Sequence, residues 1–147
     1  MLRKDDIFDT LSKYVNDIST LNGASYDILA RQIQTCIDNN SDVIIDIALQ
    51  DTKALETFLN KIDFKNSTVH RFFCDCSDND MWLDRWKERL KNPLPNQYFK
   101  SIDEIVEHYS KCEIKPLSDE VVLDSILEVK ELLNKVLENT NNEDYKI

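Results

Sequence analysis

Two arginines, Arg85 and Arg89, are the residues of this chain best suited to bind a polyphosphate. They are four residues apart in a segment whose apolar spacing predicts a helix, so they share one helix face and could contact one ligand together. A guanidinium is always charged, and its planar fork of donors suits the oxygens of a phosphoryl group in transfer. The alternative is a solvated face on which these arginines pair with nearby acids such as Asp84 and Glu88.

Several aspartates stand where a carboxylate could act on a substrate or an ion. Asp46 closes the β-branched run 43–45, a position from which an acid helps to hold Mg²⁺ or substrate at the carboxyl edge of a parallel sheet. Asp124 has a similar position in the last predicted strand but is equally well explained as a turn or cap residue. Asp5 and Asp6 begin a predicted helix, where free amides and the helix dipole favour carboxylates, so capping accounts for them without catalysis.

The cysteines and histidines favour packing over chemistry. Cys74 and Cys76 lie two apart on a predicted strand, and Cys112 and His108 could be imagined as further zinc ligands. Structural zinc sites usually bring their ligands as Cys-x₂₋₄-Cys pairs, so a single Cys-x-Cys on a strand indicates core packing instead. Neither His108 nor His70 has a serine or cysteine nucleophile in an evident triad order, which disfavours hydrolase chemistry.

The elements that must position these residues alternate between helices and strands. The predicted helices begin near Asp5, Ser25, Leu55, Ser77, Ser101 and Glu128, and Asp5, Ser77 and Ser101 are the expected caps of their helices. The apolar stripe of the first helix extends to Ile18, and that of the second is Ile28, Leu29, Ile33, Cys36 and Ile37. The predicted strands span 43–47, which should be buried, 69–76 and 121–126. Strands separated by helices pair in parallel through right-handed crossovers, which predicts a three-layer α/β sandwich with a narrow parallel sheet flanked by helices. We expect one domain over residues 1–139 and a flexible tail over 140–147.

Composition limits the partners of the chain. Its 147 residues carry a formal net charge of -10, with a pI near 4.6. Such a charge argues against a nucleic-acid polymer or an anionic membrane as partner, because both need a field of Lys and Arg. The apolar runs are far shorter than the roughly 20 residues that span a bilayer. Four cysteines without a secretory leader indicate a reduced, cytoplasmic protein.

One long motif carries a family resemblance. The block CDCSDNDMWLDRWKER at 74–89, followed by NPLPNQ at 92–97 and HY at 108–109, resembles the second half of predicted P-loop kinases of the zeta-toxin-like type. In those kinases a strand that ends in a cysteine-rich or acidic stretch leads into a lid helix with two arginines four apart, and an Asn-Pro turn follows. The corresponding lid-like region here is about 77–110, with Trp82 and Trp86 as the hydrophobic seam beneath the lid helix.

The resemblance extends to both sides of this block. The sequence KDDI at 4–7 is similar to the substrate-side aspartate motif, 43–46 to the second core strand and 121–125 to the last one. Phe8 stands where a basic residue is expected in the family's Asp-x-Ile-Arg/Lys motif.

The resemblance implies an ATP-dependent phosphotransferase that acts with Mg²⁺ on a nucleotide or another small hydroxylated molecule. It implies that Asp5 orients or deprotonates the acceptor hydroxyl, with Asp6 as its substitute, and that Asp46 contributes to substrate binding. Arg85 and Arg89 would bind the phosphates of ATP and stabilise the phosphoryl group in transfer.

The family's Gly-x-x-x-x-Gly-Lys-Ser/Thr loop has no counterpart in this sequence, whose single glycine is Gly23. The loop should stand upstream of Asp5, so the fold is expected to be truncated at its front and the chain inactive. The alternative is a non-catalytic remnant, or a binding or dimerisation module that forms a homodimer through an exposed sheet edge. A third possibility is an unrelated acidic interaction module with a complete core.

Overall fold

The computed structural model describes residues 1–140 and has the mixed α/β composition that the sequence predicts. The described elements, in chain order, are β1 (Leu2–Arg3), α1 (Lys4–Leu11), α2 (Ile18–Asp38), β2 (Ile45–Asp46), α3 (Thr52–Leu59), β3 (Arg71–Asp75), α4 (Asn79–Lys91), α5 (Ile102–Ser110), β4 (Glu120–Asp124) and α6 (Val129–Thr140). All but one residue of the predicted tail 140–147 lies outside the described residues.

The strands pair in parallel, as predicted, but the described strands form two sheets rather than one. In the first sheet β1 pairs with β2, with Leu2 opposite Ile45. In the second, β3 pairs with β4, with Arg71 opposite Glu120 and Asp75 opposite Asp124. Strand β1 was not expected, because a strand of two residues is too short to show a period of two. The prediction that a helix is the first element was therefore wrong.

The second helix begins seven residues earlier than predicted. Ile18, which the spacing assigned to the first helix, is instead the first residue of α2, and the Asp17 side chain caps it by accepting a 2.7 Å hydrogen bond from the Thr20 amide. The polar stretch after Ile18 weakens the apolar period there. The single glycine, Gly23, lies inside α2, where a Cβ atom would meet nothing within 4 Å.

Two predicted caps are wrong and one is confirmed. Helix α4 is capped by Asp78 rather than Ser77, and Asp78 accepts a 2.9 Å hydrogen bond from the Met81 amide. Asp5 lies in the first turn of α1 and does not cap it, because the N-cap is Arg3. At α5 the predicted Ser101 cap is present, with the Glu104 amide donating to its hydroxyl over 3.2 Å.

The core has one cluster under α2 and a second group around α1, α4 and α5. The first cluster contains Leu29, Ala30, Ile33, Phe58 and Ile62, and Ile37 packs against it. The predicted stripe of α2 is thus confirmed at Leu29, Ile33 and Ile37 and wrong at Ile28, which is 37% exposed. The second group consists of Phe8, Trp86 and Ile105. Strand β2 was expected to be buried, and that expectation was wrong, because Ile44 is 71% and Ile45 36% exposed.

Two polar clamps join distant parts of the chain. The Asp9 carboxylate of α1 accepts hydrogen bonds from the Asn96 amide at 2.8 Å and from the Asn96 side chain at 3.0 Å. At the start of α3, the Thr52 amide and hydroxyl donate to the Glu113 carbonyl at 2.9 and 2.8 Å. These clamps fix α1 to the turn after α4, and α3 to the segment that precedes β4.

Removal of the first clamp should be measurable in solution. Asp9→Ala deletes two charge-assisted hydrogen bonds and leaves the Asn96 amide without its acceptor. We therefore expect the free energy of unfolding to fall by about 2 kcal/mol. Urea unfolding measures this change. Asp27→Ala removes an exposed aspartate that only pairs with Lys61, and it should leave the urea midpoint nearly unchanged. Equal midpoints for the two variants would contradict the clamp.

Candidate functional site

The carboxyl end of the first sheet joins two of the predicted substrate residues through an arginine. Arg3, the last residue of β1, donates from Nε to Asp46 over 3.1 Å and from Nη1 to Asp6 over 3.5 Å. The Asp46 hydrogen bond is the main cause of a raised pKa at Arg3, and the charge of Asp6 adds to it. Asp6 and Asp46 therefore lie together, as the resemblance implies, and each has a cation of its own chain as partner.

Asp5 faces a different cation, the buried side chain of Lys4. Only 5% of Lys4 is exposed, and its ammonium donates to the Asn22 side chain over 2.9 Å and lies 3.6 Å from Asp5. The ammonium also lies above the rings of Phe8 and Tyr26, 4.5 and 5.3 Å from their centroids. Burial lowers the pKa of Lys4, while the charge of Asp5 opposes that shift. Asp5 is thus held beside a desolvated positive charge.

The lowered pKa of Lys4 predicts a pH dependence of stability. The unfolded chain binds more protons than the folded chain from the folded pKa of Lys4 up to its ordinary value of 10.5, so the free energy of unfolding should rise with pH across that window. Lys4→Met should lack this rise. The tyrosines Tyr26 and Tyr109 have raised pKa values and act in the opposite direction above pH 10, but both proteins share that effect.

The measurement for this prediction is urea unfolding of wild type and Lys4→Met at several pH values between 7 and about 10.5. The stability of wild type relative to the variant should increase with pH. Lys61→Met, which removes an exposed lysine, controls for the loss of one positive charge. If the difference in free energy of unfolding between wild type and Lys4→Met stayed constant over this pH range, the lowered pKa of Lys4 would be contradicted.

Tyr109 of α5 packs against the lid-like helix α4. Its ring centroid lies 5.5 Å from that of Trp82 and 6.3 Å from that of Trp86. Burial is the main reason that the pKa of Tyr109 is raised.

Arg85 reaches the carboxyl end of the second sheet. Its guanidinium donates to the Ser125 hydroxyl over 2.6 Å and to the Ser125 carbonyl over 3.0 Å, immediately after β4. Arg89 lies over Trp86, 5.0 Å from the ring centroid. The two arginines share a face as predicted, and with Met81, Asp84 and Glu88 they line a shallow, open depression on α4.

The alternative explanation of these arginines, pairing with neighbouring acids, does not describe the contacts observed. Asp84 pairs with Lys87 at 2.7 Å, and Glu88 pairs with Lys91 at 2.5 Å. The acids of this helix face are thus engaged by lysines, which leaves Arg85 to bind Ser125.

Carboxylates at the ends of β3 and β4 bind backbone amides. Asp75 accepts from the Cys76 amide over 2.8 Å, and Asp124 accepts from the amides of Ser77 and Ile126, each over 3.2 Å. Hydrogen bonding by Ser77 is the main cause of a lowered pKa at Asp124. The turn role considered for Asp124 in the sequence is confirmed.

The cysteine pair differs from its predicted arrangement. Cys74 is an exposed residue of β3, but Cys76 lies beyond the end of the strand, so the two do not share a strand face. Desolvation of its thiol is the main cause of a raised pKa at Cys74, and the charge of Asp46 adds to it. Within residues 1–140, no three His, Cys, Asp or Glu side chains are grouped so as to hold a metal ion.

Sequence reasoning missed Arg3, Lys4, Tyr109 and Ser125 as parts of this site. The spacing of Arg3 and Asp6, three apart at the start of a helix, was a usable signal for an ion pair. Ser125 gave no signal, because its contact with Arg85 joins residues 40 apart in sequence.

Comparisons with known proteins leave the function to be argued from this geometry. No family model matches the chain, and no curated protein or solved structure matches it either. Across the described part of the chain, no helix is long and apolar enough to cross a membrane.

Proposed function

We propose that this chain is the acceptor-binding and lid-bearing part of an ATP-dependent phosphotransferase with a three-layer, P-loop-like fold. Its substrate is a nucleotide or another small hydroxylated molecule. The observation that carries the proposal is the open depression on α4 that Arg85 and Arg89 line together. Two guanidiniums on one helix face can contact one polyphosphate and stabilise a phosphoryl group in transfer.

The acceptor side rests on Asp5. Its carboxylate lies 3.6 Å from the Lys4 ammonium, and its role in the proposal is to accept the proton of an acceptor hydroxyl. Asp6 and Asp46, joined by Arg3, supply further polar contacts for the substrate at the adjacent strand ends. Phe8 is buried, so it does not replace the basic side chain expected at its position as a phosphate contact.

The donor side is incomplete. Arg85 and Arg89 can contact the phosphates of ATP, but the single glycine lies inside α2, so no glycine-rich loop of backbone amides surrounds a triphosphate in residues 1–140. The residues present therefore do not hold ATP with Mg²⁺ by themselves, and we derive no catalytic step through them. Residues 1–147 alone are expected to be inactive. The thiols of all four cysteines are free, which supports a reducing, cytoplasmic setting.

Weak polyphosphate binding tests the donor side. The only two tryptophans, Trp82 and Trp86, lie on α4 beside both arginines, so their fluorescence reports binding there. Two charge-assisted contacts of about 1.5–3 kcal/mol each predict a Kd for inorganic tripolyphosphate on the order of 1 mM at low salt. Arg85→Ala and Arg89→Ala should each weaken binding about tenfold or more.

Lys87→Ala is the matched control, because it removes one positive charge from the same helix at a residue paired with Asp84. It should change the Kd less than about threefold through the general electrostatic effect. Loss of binding in the Lys87 variant equal to that in the arginine variants, or no fluorescence change with wild type, would contradict a phosphate site at these arginines.

The second candidate is a non-catalytic binding or dimerisation module. The exposure of Ile44 and Ile45 at β2 favours it, because unpaired strands with apolar side chains promote association. In sedimentation velocity, a homodimer through that edge would appear as a species of twice 17.2 kDa. The fraction of the protein in that species would rise with protein concentration. Such a dimer without tripolyphosphate binding would favour this candidate over the phosphotransferase.

A further inference from the structure

Helix α6 carries a row of exposed apolar side chains. Val129, Leu133 and Leu137 are 80%, 53% and 47% exposed. They lie four residues apart, so they follow one another along one side of the helix. Ile126, which is 45% exposed, extends this row three residues before the helix begins. We call these four residues the α6 row.

The α6 row is not the side by which the helix attaches to its own fold. Helix α6 contacts β4, and Leu132 and Val136, each one residue before a member of the row, are half-buried. Within Val129–Thr140, all of which the structure describes, no residue is fully buried. The apolar surface of α6 is therefore wider than the part that β4 covers, and a continuous exposed apolar surface of this kind is typical of an interaction site.

The polar residues beside the α6 row indicate what covers it. Lys130, Asn134 and Glu138, each one residue after a member of the row, form a second exposed row with a cation at its first position and an acid at its last. Lys130 and Glu138 form no ion pair with another residue of 1–140. In an antiparallel pair of identical helices, such a row faces itself in reverse order, so each Lys130 would lie beside the partner's Glu138.

We propose that the α6 row is the interface of a symmetric homodimer, in which α6 packs antiparallel on α6 of a second copy of this chain. Leu133 contacts its own counterpart at the twofold axis, and Val129 contacts the partner's Leu137. Side chains four residues apart form a ridge that packs into the matching groove of the other helix. Two pairs of Lys130 with the partner's Glu138 flank this apolar centre.

The size of the α6 row predicts a weak dimer. Val129 and Leu137 lie about 12 Å apart along the helix, at about 1.5 Å per residue. A contact of that length buries less than the roughly 800 Å² per partner of a standard interface. Each copy also carries a net charge of -10, which repels the other copy. We therefore expect a Kd on the order of 10–100 μM.

This interface differs from the two surfaces considered under the proposed function. It lies on α6 rather than at the edge of β2, so the two possible homodimers can be separated by substitution. The α6 row shares no residue with the arginine face of α4. The proposed dimer therefore does not depend on the proposed phosphotransferase activity.

Sedimentation velocity of the full chain from about 1 μM to about 500 μM tests the proposal. The mass of wild type should rise from 17.2 kDa towards twice that value. Leu133→Glu places two carboxylates opposite each other at the twofold axis, so it should raise the Kd at least about tenfold. Ile45→Lys, at the edge of β2, is the matched control and should leave the Kd within about twofold of wild type. Circular dichroism checks that both variants fold.

A charge exchange tests the antiparallel arrangement. Lys130→Glu places a second acid beside the partner's Glu138 at both ends of the interface, so it should raise the Kd at least about fivefold. Addition of Glu138→Lys reverses both pairs and should return the Kd to within about twofold of wild type. Lys13→Glu changes the net charge equally at an exposed residue outside the helices, and it should change the Kd less than about twofold.

Three results would overturn the proposal. The first is a protein that stays monomeric at all these concentrations. The second is a dimer that Ile45→Lys dissociates and Leu133→Glu does not. The third is a Lys130→Glu/Glu138→Lys protein that dimerises as weakly as Lys130→Glu, because an antiparallel pair requires the exchange to restore binding.

Discussion

Phe8→Ala is expected to lower the free energy of unfolding by about 3–5 kcal/mol, a large fraction of the stability of an ordinary domain. Only 1% of Phe8 is exposed, and its ring stacks on Tyr98 at a centroid distance of 6.3 Å. The same ring lies beneath the Lys4 ammonium. Its loss would leave a cavity and remove the wall that keeps Lys4 beside Asp5.

Urea unfolding at neutral pH measures this effect. Tyr14→Ala is a suitable control, because 82% of Tyr14 is exposed and its removal should change stability by less than about 0.5 kcal/mol. Phe8→Leu keeps most of the buried volume and should cost less than Phe8→Ala. A Phe8→Ala protein as stable as the Tyr14 control would show that Phe8 does not hold α1 in place.

Trp86→Ala is also expected to lower the free energy of unfolding by about 3–5 kcal/mol, and in addition to remove tripolyphosphate binding. Trp86 is 8% exposed and contacts three aromatic neighbours, Trp82, Phe99 and Tyr109, at centroid distances of 6.2, 6.1 and 6.3 Å. Its ring also supports the guanidinium of Arg89. One side chain therefore both packs α4 on α5 and positions a predicted phosphate contact.

Trp86→Phe separates the two roles. It keeps an aromatic core and should recover much of the stability, while the smaller ring gives Arg89 a weaker cation–π partner. Urea unfolding measures the stability of each variant, and isothermal calorimetry with tripolyphosphate replaces the lost fluorescence signal. If Trp86→Ala bound tripolyphosphate as wild type does, Arg89 would not depend on Trp86.

The longer elements could be predicted from the sequence, because their apolar residues recur over enough positions to show a period. Leu29 and Ile33 were placed correctly on the buried stripe of α2, and the parallel pairing of β3 with β4 followed from alternating helices and strands. The short strands β1 and β2 carry too few residues for such a signal. The exposure of β2 depends on what lies beside it, which a β-branched run does not encode.

The candidate site was predictable only where its residues are close in sequence. The shared face of Arg85 and Arg89 follows from a spacing of four. The partners that define their surroundings come from elsewhere in the chain, such as Ser125 for Arg85 and Lys4 with Asn22 for Asp5. Burial of Lys4 could not be foreseen, because a lysine is seldom buried and no local pattern marks it.

The proposed phosphotransferase role depends most directly on Arg85 and Arg89 binding one polyphosphate together. The most direct test is the calorimetric affinity of the full chain for tripolyphosphate, compared among wild type, the double variant Arg85→Ala/Arg89→Ala and the charge control Lys87→Ala. We expect wild type and Lys87→Ala to bind with a Kd on the order of 1 mM and the double variant to show no measurable binding. Equal affinity of the double variant and wild type, or no binding by wild type, would contradict the phosphotransferase proposal.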